Sequence, residues 1–228
     1  MALTNTIGIS DKRYAICDMR FAIRALRLFF RLLYGPFAWA YDAVAWVVSR
    51  GKWTAWGAAV LPLIPGGPVL ELAHGPGHLL LNMARRGLGP VGLDLSPQMG
   101  ALARRRLRRA GFPPRLVRAR AQRLPFPDGA FRAVVATFPT EFILDPATAR
   151  EAARVLAPGG TAIVVPVAIP GGQDPIARAL RLLYRITGQD RFPPEDPFSA
   201  WQAAGFSLHT EWQRIGPDAV LLLHATRP

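Results

Sequence analysis

The chain has 228 residues, half of them hydrophobic, which excludes intrinsic disorder and allows one domain with a substantial core and an added subdomain. Its single cysteine, Cys17, excludes an internal disulfide and fits a reducing compartment, and no histidine and cysteine cluster has metal-ligand spacing, so no metal is expected. A formal charge of +13 is carried almost wholly by arginine, since Lys12 and Lys52 are the only lysines, and such a field attracts nucleic acid or anionic lipid.

Residues Met1–Met19 show no signal-peptide pattern. In Arg20–Leu33 the arginines Arg20, Arg24, Arg27 and Arg31 recur at spacings of four, three and four, a narrow basic stripe on a helix otherwise apolar. Such a helix wants burial or lipid, and snorkelling arginines suit one lying in a membrane interface. Gly35-Pro36 breaks it. Phe37–Ser49 predicts a second apolar helix, carrying Trp39, Tyr41, Asp42 and Trp46. Trp53 and Trp56 follow in a charge-free stretch to Leu70 that Pro62, Pro65, Gly66, Gly67 and Pro68 interrupt, against a membrane span. Three readings of the N-terminal third stay open: a membrane-surface element, a lid or dimer contact packed on the core, and, least favoured, a span. Residues 1–65 are set apart as that helical segment, and residues 66–228 as the core.

From Val69 strands and helices alternate. Val69, Leu70 and Leu72 form a short buried strand, Gly75 and Gly77 a tight turn, and His78 starts a helix. Val91–Asp94 predicts a second strand ending in an acid. Pro97–Gly111 predicts a helix whose arginines, Arg104, Arg105, Arg106, Arg108 and Arg109, form a solvated outer face or an anion-binding patch. Arg115–Ala119 and Phe131–Phe138 are a third and a fourth strand, and Pro146–Leu156 is a helix stopped by Ala157-Pro158-Gly159-Gly160. Thr161–Val167 is a fifth strand. An insertion over residues 171–196 carries a helix, Ile176–Thr187, with Arg178, Arg181 and Arg185 on one stripe. A short helix at Phe198–Ala204 precedes two closing strands, Phe206–Trp212 and Ala219–Thr226. The pattern is α/β, a doubly wound sheet.

A strand, a glycine turn with open helix N–H groups, and an acid closing the next strand make a nucleoside-binding half-fold, with the Asp94 carboxylate on the ribose hydroxyls. The dinucleotide pattern fails because Leu80 occupies its third glycine position. Glu71-Leu72-Ala73-His74-Gly75-Pro76-Gly77 instead fits an E/D-x-G-x-G-x-G motif, with Ala73 in place of one glycine. Here the chain resembles the class I S-adenosylmethionine-dependent methyltransferases, in the small-molecule group that includes quinone and phospholipid methyltransferases. The resemblance spans Gly67 to Pro228 and implies a Rossmann-like sheet of seven strands, the last antiparallel, with an N-terminal helical lid.

It also implies S-adenosylmethionine as cofactor and a set of contacts. Glu71, Ala73, His74, Gly75 and Gly77 would form the loop on its methionine part, and Asp94 would take the ribose, with Leu95 and Met99 beside it. Arg118–Asp128 resembles the adenine segment, matching at Ala121, Gln122, Leu124, Pro125 and Phe126. Arg120 stands where that segment has aspartate, and it cannot accept a bond from the adenine amino group. Thr137 would close the set. Tyr41 and Asp42 resemble the Tyr-Asp pair of the family's lid helix.

Methyl transfer from a sulfonium needs alignment and exclusion of water more than acid–base help, so catalytic residues leave little trace in sequence. Glu141 is the candidate base, with His74 and Tyr41 as further candidates. The Thr137-Phe138-Pro139-Thr140 stretch lacks the Asn/Asp-Pro-Pro-aromatic tetrad, which argues against nucleobase amino groups as acceptors. The expectation is methylation of a lipophilic small molecule or lipid head group by a cytoplasmic protein, peripheral at an anionic inner membrane face, with nucleic acid disfavoured. An RNA methyltransferase and a non-catalytic protein keeping the fold are the rivals, and oligomeric state is not legible.

Overall fold

A computed structural model describes residues 35–171, Arg178 and residues 198–227. The helices expected at Arg20–Leu33 and Ile176–Thr187 lie outside the described residues, apart from Arg178. A single 3-10 turn, Ala38–Ala40, leads into α1 (Tyr41–Ser49), so the expected helix from Phe37 is split at its start. Next come α2 (Trp53–Gly57) and a 3-10 run, Ala58–Leu63, that passes through Pro62. No helix among the described residues is long and apolar enough to cross a membrane.

The core then alternates: β1 (Val69–Leu72), α3 (His78–Arg85), β2 (Val91–Asp94), α4 (Pro97–Arg109), β3 (Leu116–Arg118), β4 (Phe131–Thr137), α5 (Pro146–Val155) and β5 (Leu156–Val165). After it come β6 (Ala168–Ile169), α6 (Ser199–Ala203), β7 (Ser207–Ile215) and β8 (Asp218–Thr226). The helix starts follow local chemistry. Ser96 Oγ accepts from Met99 N at 3.1 Å and Asp145 Oδ1 from Ala147 N at 2.8 Å, each just before a proline in the first helical turn.

The strands run in the order β3-β2-β1-β4-β5-β8, with β7 on the far edge of β8. β1 to β5 are parallel, and β8 is antiparallel to both β5 and β7. The two-residue β6 pairs with β8 at Val220 and Ala219, continuing the line of β5 along the same edge. The expected seven-line sheet with an antiparallel last strand is therefore present, with one line in two pieces. The β5 line starts at Leu156, opposite Phe131, so the Ala157–Gly160 stretch lies inside it, with an irregular register there.

Strand alternation divides the core in two. On one face Leu70, Leu72, Val134, Ala136 and Val164 pack with α5 and with the buried Trp201. On the other, Val69, Val135, Ile163 and Leu222 pack with α3, α4 and the buried Trp56. Glu71 belongs to the Val69 face by the same alternation, a carboxyl set among apolar neighbours. Asp218, 1% exposed at the start of β8, ties the N-terminal helices to the sheet. It accepts from Trp56 Nε1 at 3.0 Å, Lys52 Nζ at 3.1 Å and Gly171 N at 2.9 Å.

Candidate active site

The carboxyl ends of β1, β2 and β4 meet at one edge of the sheet, the edge where parallel α/β proteins bind ligands. After β1 the chain turns through Ala73 (φ +53°), Gly75 (φ +52°) and Gly77 (φ +79°). The turn is tied by Gly77 N to His74 O at 3.0 Å and His74 N to Leu93 O at 3.2 Å. Gly77 is required by packing, because a Cβ there would stand 2.7 Å from Ala103 Cβ. A Cβ on Gly75 would meet no atom within 4 Å, so that side of the loop faces open space wide enough for a ligand.

Ala73 sits in the left-handed region that its family position fills with glycine, a strain of about 1 kcal/mol or more. Phe138, directly after β4, is a second such residue at φ +50°. Ala73 and Phe138 line one cleft with Tyr41, Trp53, Thr54, Gly57, Glu71, His74, Gly75 and Thr137, whereas the third such residue, Arg50 at φ +56°, closes α1 and is not among the cleft-lining residues. Strain of this kind clusters at ligand sites, where surrounding structure overdetermines it.

Two carboxyls face this edge in different states. Asp94 Oδ2 accepts from Gly75 N at 2.9 Å and Oδ1 from Ser96 N at 2.8 Å, so the acid closing β2 holds the glycine loop in place. Each oxygen keeps a further lone pair, enough for two ribose hydroxyls. Glu71 is 2% exposed and its Oε2 has no hydrogen-bond partner. Burial, and then the nearby Asp94 charge, pushes its carboxyl well above the usual range.

His74 and His78, though close in sequence, do different things. The His74 ring is buried, its Nδ1 2.6 Å from Gly75 O, and burial lowers its affinity for a proton. It braces the loop from beneath as a neutral imidazole. His78 Nε2 lies 2.9 Å from Asp42 Oδ1 on α1, and Asp42 Oδ2 takes Arg106 Nη2 of α4 at 2.6 Å. The same guanidinium donates to Pro76 O in the glycine loop. The His78 bond, ahead of the Arg106 charge, holds the Asp42 carboxyl below the usual range. Asp42 thus fastens the lid helix to the loop, while Tyr41 beside it, 8% exposed, lines the cleft.

Among the residues expected at the adenine, Ala121 is buried and Gln122 half-buried in the turn after β3, and Met99, expected beside the ribose, is buried against Tyr41 and Ala38. Leu95, after Asp94, is 55% exposed, an apolar side chain with room above it. Arg120 is exposed in the same turn. The loop beyond is held from α5: Leu124 N donates to Glu151 Oε2 at 2.6 Å, and Arg154 donates to the Leu124 and Phe126 carbonyls and to Asp128. Glu141 opens the 3-10 turn Glu141–Leu144, is exposed, and is not among the cleft-lining residues.

Sequence reading missed Trp53, Thr54 and Phe138. The Trp53 and Phe138 rings lie 4.2 Å apart at 36°, one aromatic wall assembled from residues far apart in the chain. The tryptophan-rich N-terminal segment was the only signal for it.

An α/β sheet with a glycine turn, a carboxylate closing β2 and an N-terminal helix beside them has the layout of a nucleoside-binding site. Residues 69–160 match the methyltransferase domain family. A demethylmenaquinone methyltransferase from Thermus thermophilus is 35% identical over 180 residues, covering 67% of this chain and 80% of that protein. The chain belongs to the class I S-adenosylmethionine-dependent methyltransferases. Solved structures share the fold: a possible histamine N-methyltransferase from Thermotoga maritima superposes with a TM-score of 0.61 at 20% identity, covering 87% of this chain and 99% of that one. The geranyl diphosphate C-methyltransferase of Streptomyces coelicolor, crystallised with S-adenosylhomocysteine, gives 0.58 at 15% identity over 77% of this chain and 79% of that one. The cofactor of the class is S-adenosylmethionine, and the residues here fit it. The partnerless Glu71 oxygen suits an ammonium, the open side of Gly75 suits a close approach, and the free lone pairs of Asp94 suit a diol.

Proposed function

We propose that this chain transfers the methyl group of S-adenosylmethionine to a lipophilic quinone-type acceptor at a membrane surface. The observation that carries the acceptor class is the Trp53–Phe138 pair beside Tyr41, an aromatic wall in the same cleft as Glu71, Ala73 and Gly75. A flat conjugated ring gains stacking area there that a small charged amine would not. The name of the Thermus relative supports the same class.

When bound, the cofactor supplies an activated methyl on sulfur. The chain's part is to hold and align. Asp94 with the Gly75 loop fixes the nucleoside, Glu71 takes the ammonium as a carboxylate, and Tyr41, Trp53 and Phe138 orient the acceptor ring and exclude water. Thr137, at the end of β4, offers a hydroxyl to the cleft. The described part of the N-terminal segment, residues 35–65, serves as lid, with α1 latched by Asp42. The reading includes a cytoplasmic, peripheral position at the inner membrane face, supported by the acceptor's lipophilicity.

The test is incubation with methyl-labelled S-adenosylmethionine and a reduced demethylated naphthoquinone in detergent micelles. The proposal expects label in the quinone by mass spectrometry, with turnover lost in Trp53→Ala. Turnover with RNA and none with the quinone would assign the acceptor to the other class.

A further inference from the structure

We infer that the outer face of α1 and the arginine row of α4 together form a docking surface for an anionic phospholipid bilayer. The inference rests on the acceptor reading above and names the surface that would bring the cleft to its substrate.

Helix α1 is two-faced. Tyr41 turns inward to the cleft, whereas Trp39, Ala43, Trp46, Val47 and Arg50 are all exposed. Within α1, Ala43, Trp46 and Val47 share one face at i, i+3 and i+4, with Trp39 in the 3-10 turn before the helix and Arg50 closing it at φ +56°. Trp39 is 75% exposed, Trp46 65% and Val47 64%, a concentration that core packing does not explain. The contrast is with Trp56 and Trp201, which are buried with their indole N–H groups bonded to Asp218 Oδ2 and Ile143 O. An indole at the membrane–water boundary buries its ring among acyl chains and keeps its N–H in the head-group layer.

On α4, Arg104, Arg105, Arg108 and Arg109 line an open groove of about 590 Å³, with Arg118 of β3 on its other bank. All four helix arginines are exposed, and no ion pair among the described residues involves them. Asp94 is the sole acid on the groove wall, and its oxygens already accept from Gly75 and Ser96. Arginine forks match phosphate oxygens in pairs.

The two surfaces belong to one rigid unit. Arg106 pairs with Asp42, and Ala38 and Tyr41 pack on Met99, so α1 and α4 are fastened side by side. Apolar anchors beside unpaired cations complement an interface with anionic head groups and acyl chains below them. A second copy of this chain, carrying the same +13 charge, would meet the cationic row with repulsion. Nucleic acid would leave the Trp39–Val47 stripe without a partner for its aliphatic part.

The test uses the full chain and vesicles of phosphatidylcholine mixed with phosphatidylglycerol, with phosphatidylcholine alone for comparison. Wild type should co-sediment with the mixed vesicles, more weakly at high salt, and its indole emission should shift to the blue. Trp39→Ser/Trp46→Ser and Arg105→Gln/Arg108→Gln/Arg109→Gln should each lose about tenfold or more in vesicle affinity. Their circular dichroism spectra and melting temperatures should match the wild type, which shows that they fold. Either variant sedimenting like wild type would overturn the inference, as would a wild type that ignores the vesicles. A tryptophan variant that only turns a dimer into a monomer would assign the stripe to a second copy. An arginine variant that loses salt-sensitive RNA retention and keeps vesicle binding would assign the groove to nucleic acid. A water-soluble short-chain quinone separates the two proposals: both variants should methylate it at the wild-type rate. In wild type, activity on it beside failed vesicle binding sinks the docking surface alone, and vesicle binding without that activity sinks the acceptor reading alone.

Discussion

Glu71→Gln is expected to make the protein more stable in neutral and alkaline solution and worse at binding its cofactor. The carboxyl is 2% exposed, one of its oxygens is unpartnered, and burial and then the Asp94 charge push it well above the usual carboxylate range. A carboxyl whose folded-state pKa is raised contributes stability that is complete below the ordinary carboxylate range and is lost as pH rises through the raised value. Glutamine does not titrate, so the variant escapes that loss. Melting temperatures of the two proteins should lie close together at acid pH and separate in favour of glutamine as pH rises. The cofactor's ammonium changes the balance, because it pairs with the carboxylate that the free protein disfavours. Removing a charge-assisted bond of about 1.5–3 kcal/mol should weaken S-adenosylhomocysteine about 10- to 100-fold. Calorimetric titration and thermal melts across pH check both halves. A variant less stable than wild type at every pH would show that Glu71 is charged and paired in the free protein.

Gly77→Val is expected to damage fold and site together. The position has φ +79°, which a β-branched residue hardly adopts, and its Cβ would lie 2.7 Å from Ala103 Cβ and 3.0 Å from Ala103 Cα on the buried face of α4. Backbone strain and overpacking each cost about 1–3 kcal/mol, so the total is about 2–6 kcal/mol. For a chain of this size that lowers the melting temperature by about 4–24 °C. Relief of the clash by shifting the loop would pull Gly75 N from Asp94, so cofactor affinity should fall even in the fraction that folds. Gly100→Ala is the control: it lies within α4 with no atom within 4 Å of a new Cβ, and it should be neutral or stabilising by up to about 1 kcal/mol. Equal melting temperatures for Gly77→Val and wild type would contradict the packing argument.

Much of the site was legible because its parts are local. The strand, the Gly75–Gly77 turn and the acid at Asp94 lie within one half-fold, and the 2.9 Å bond from Gly75 N to Asp94 is what that spacing implies. The α4 start is local for the same reason, with Ser96 capping the turn that Pro97 opens. Ala73 shows the limit of such reading. Its residue type was visible, but its positive φ follows from how β1 turns back onto β2, which only the folded chain specifies. The Trp53–Phe138 wall was out of reach because two distant segments build it, and no periodicity links them. Glu141 was attractive by chain order, since it follows β4, yet the loop path leaves it exposed and off the cleft wall. The Gly159-Gly160 pair reads as a stop signal, while in the fold the β5 line runs through it with a register irregularity. Asp218, which binds Trp56, Lys52 and Gly171, carries no local pattern at all.

The central claim is that the Glu71–Gly77 loop and Asp94 form a working cofactor cradle despite Ala73 and Arg120. Titration of S-adenosylhomocysteine into the purified chain, with Asp94→Ala beside it, tests this most directly. The account predicts micromolar binding by wild type and a loss of about 100-fold or more in the variant, which gives up the ribose bonds and the anchor of Gly75 N. No measurable heat with a folded wild-type protein, or equal affinity in Asp94→Ala, would contradict it.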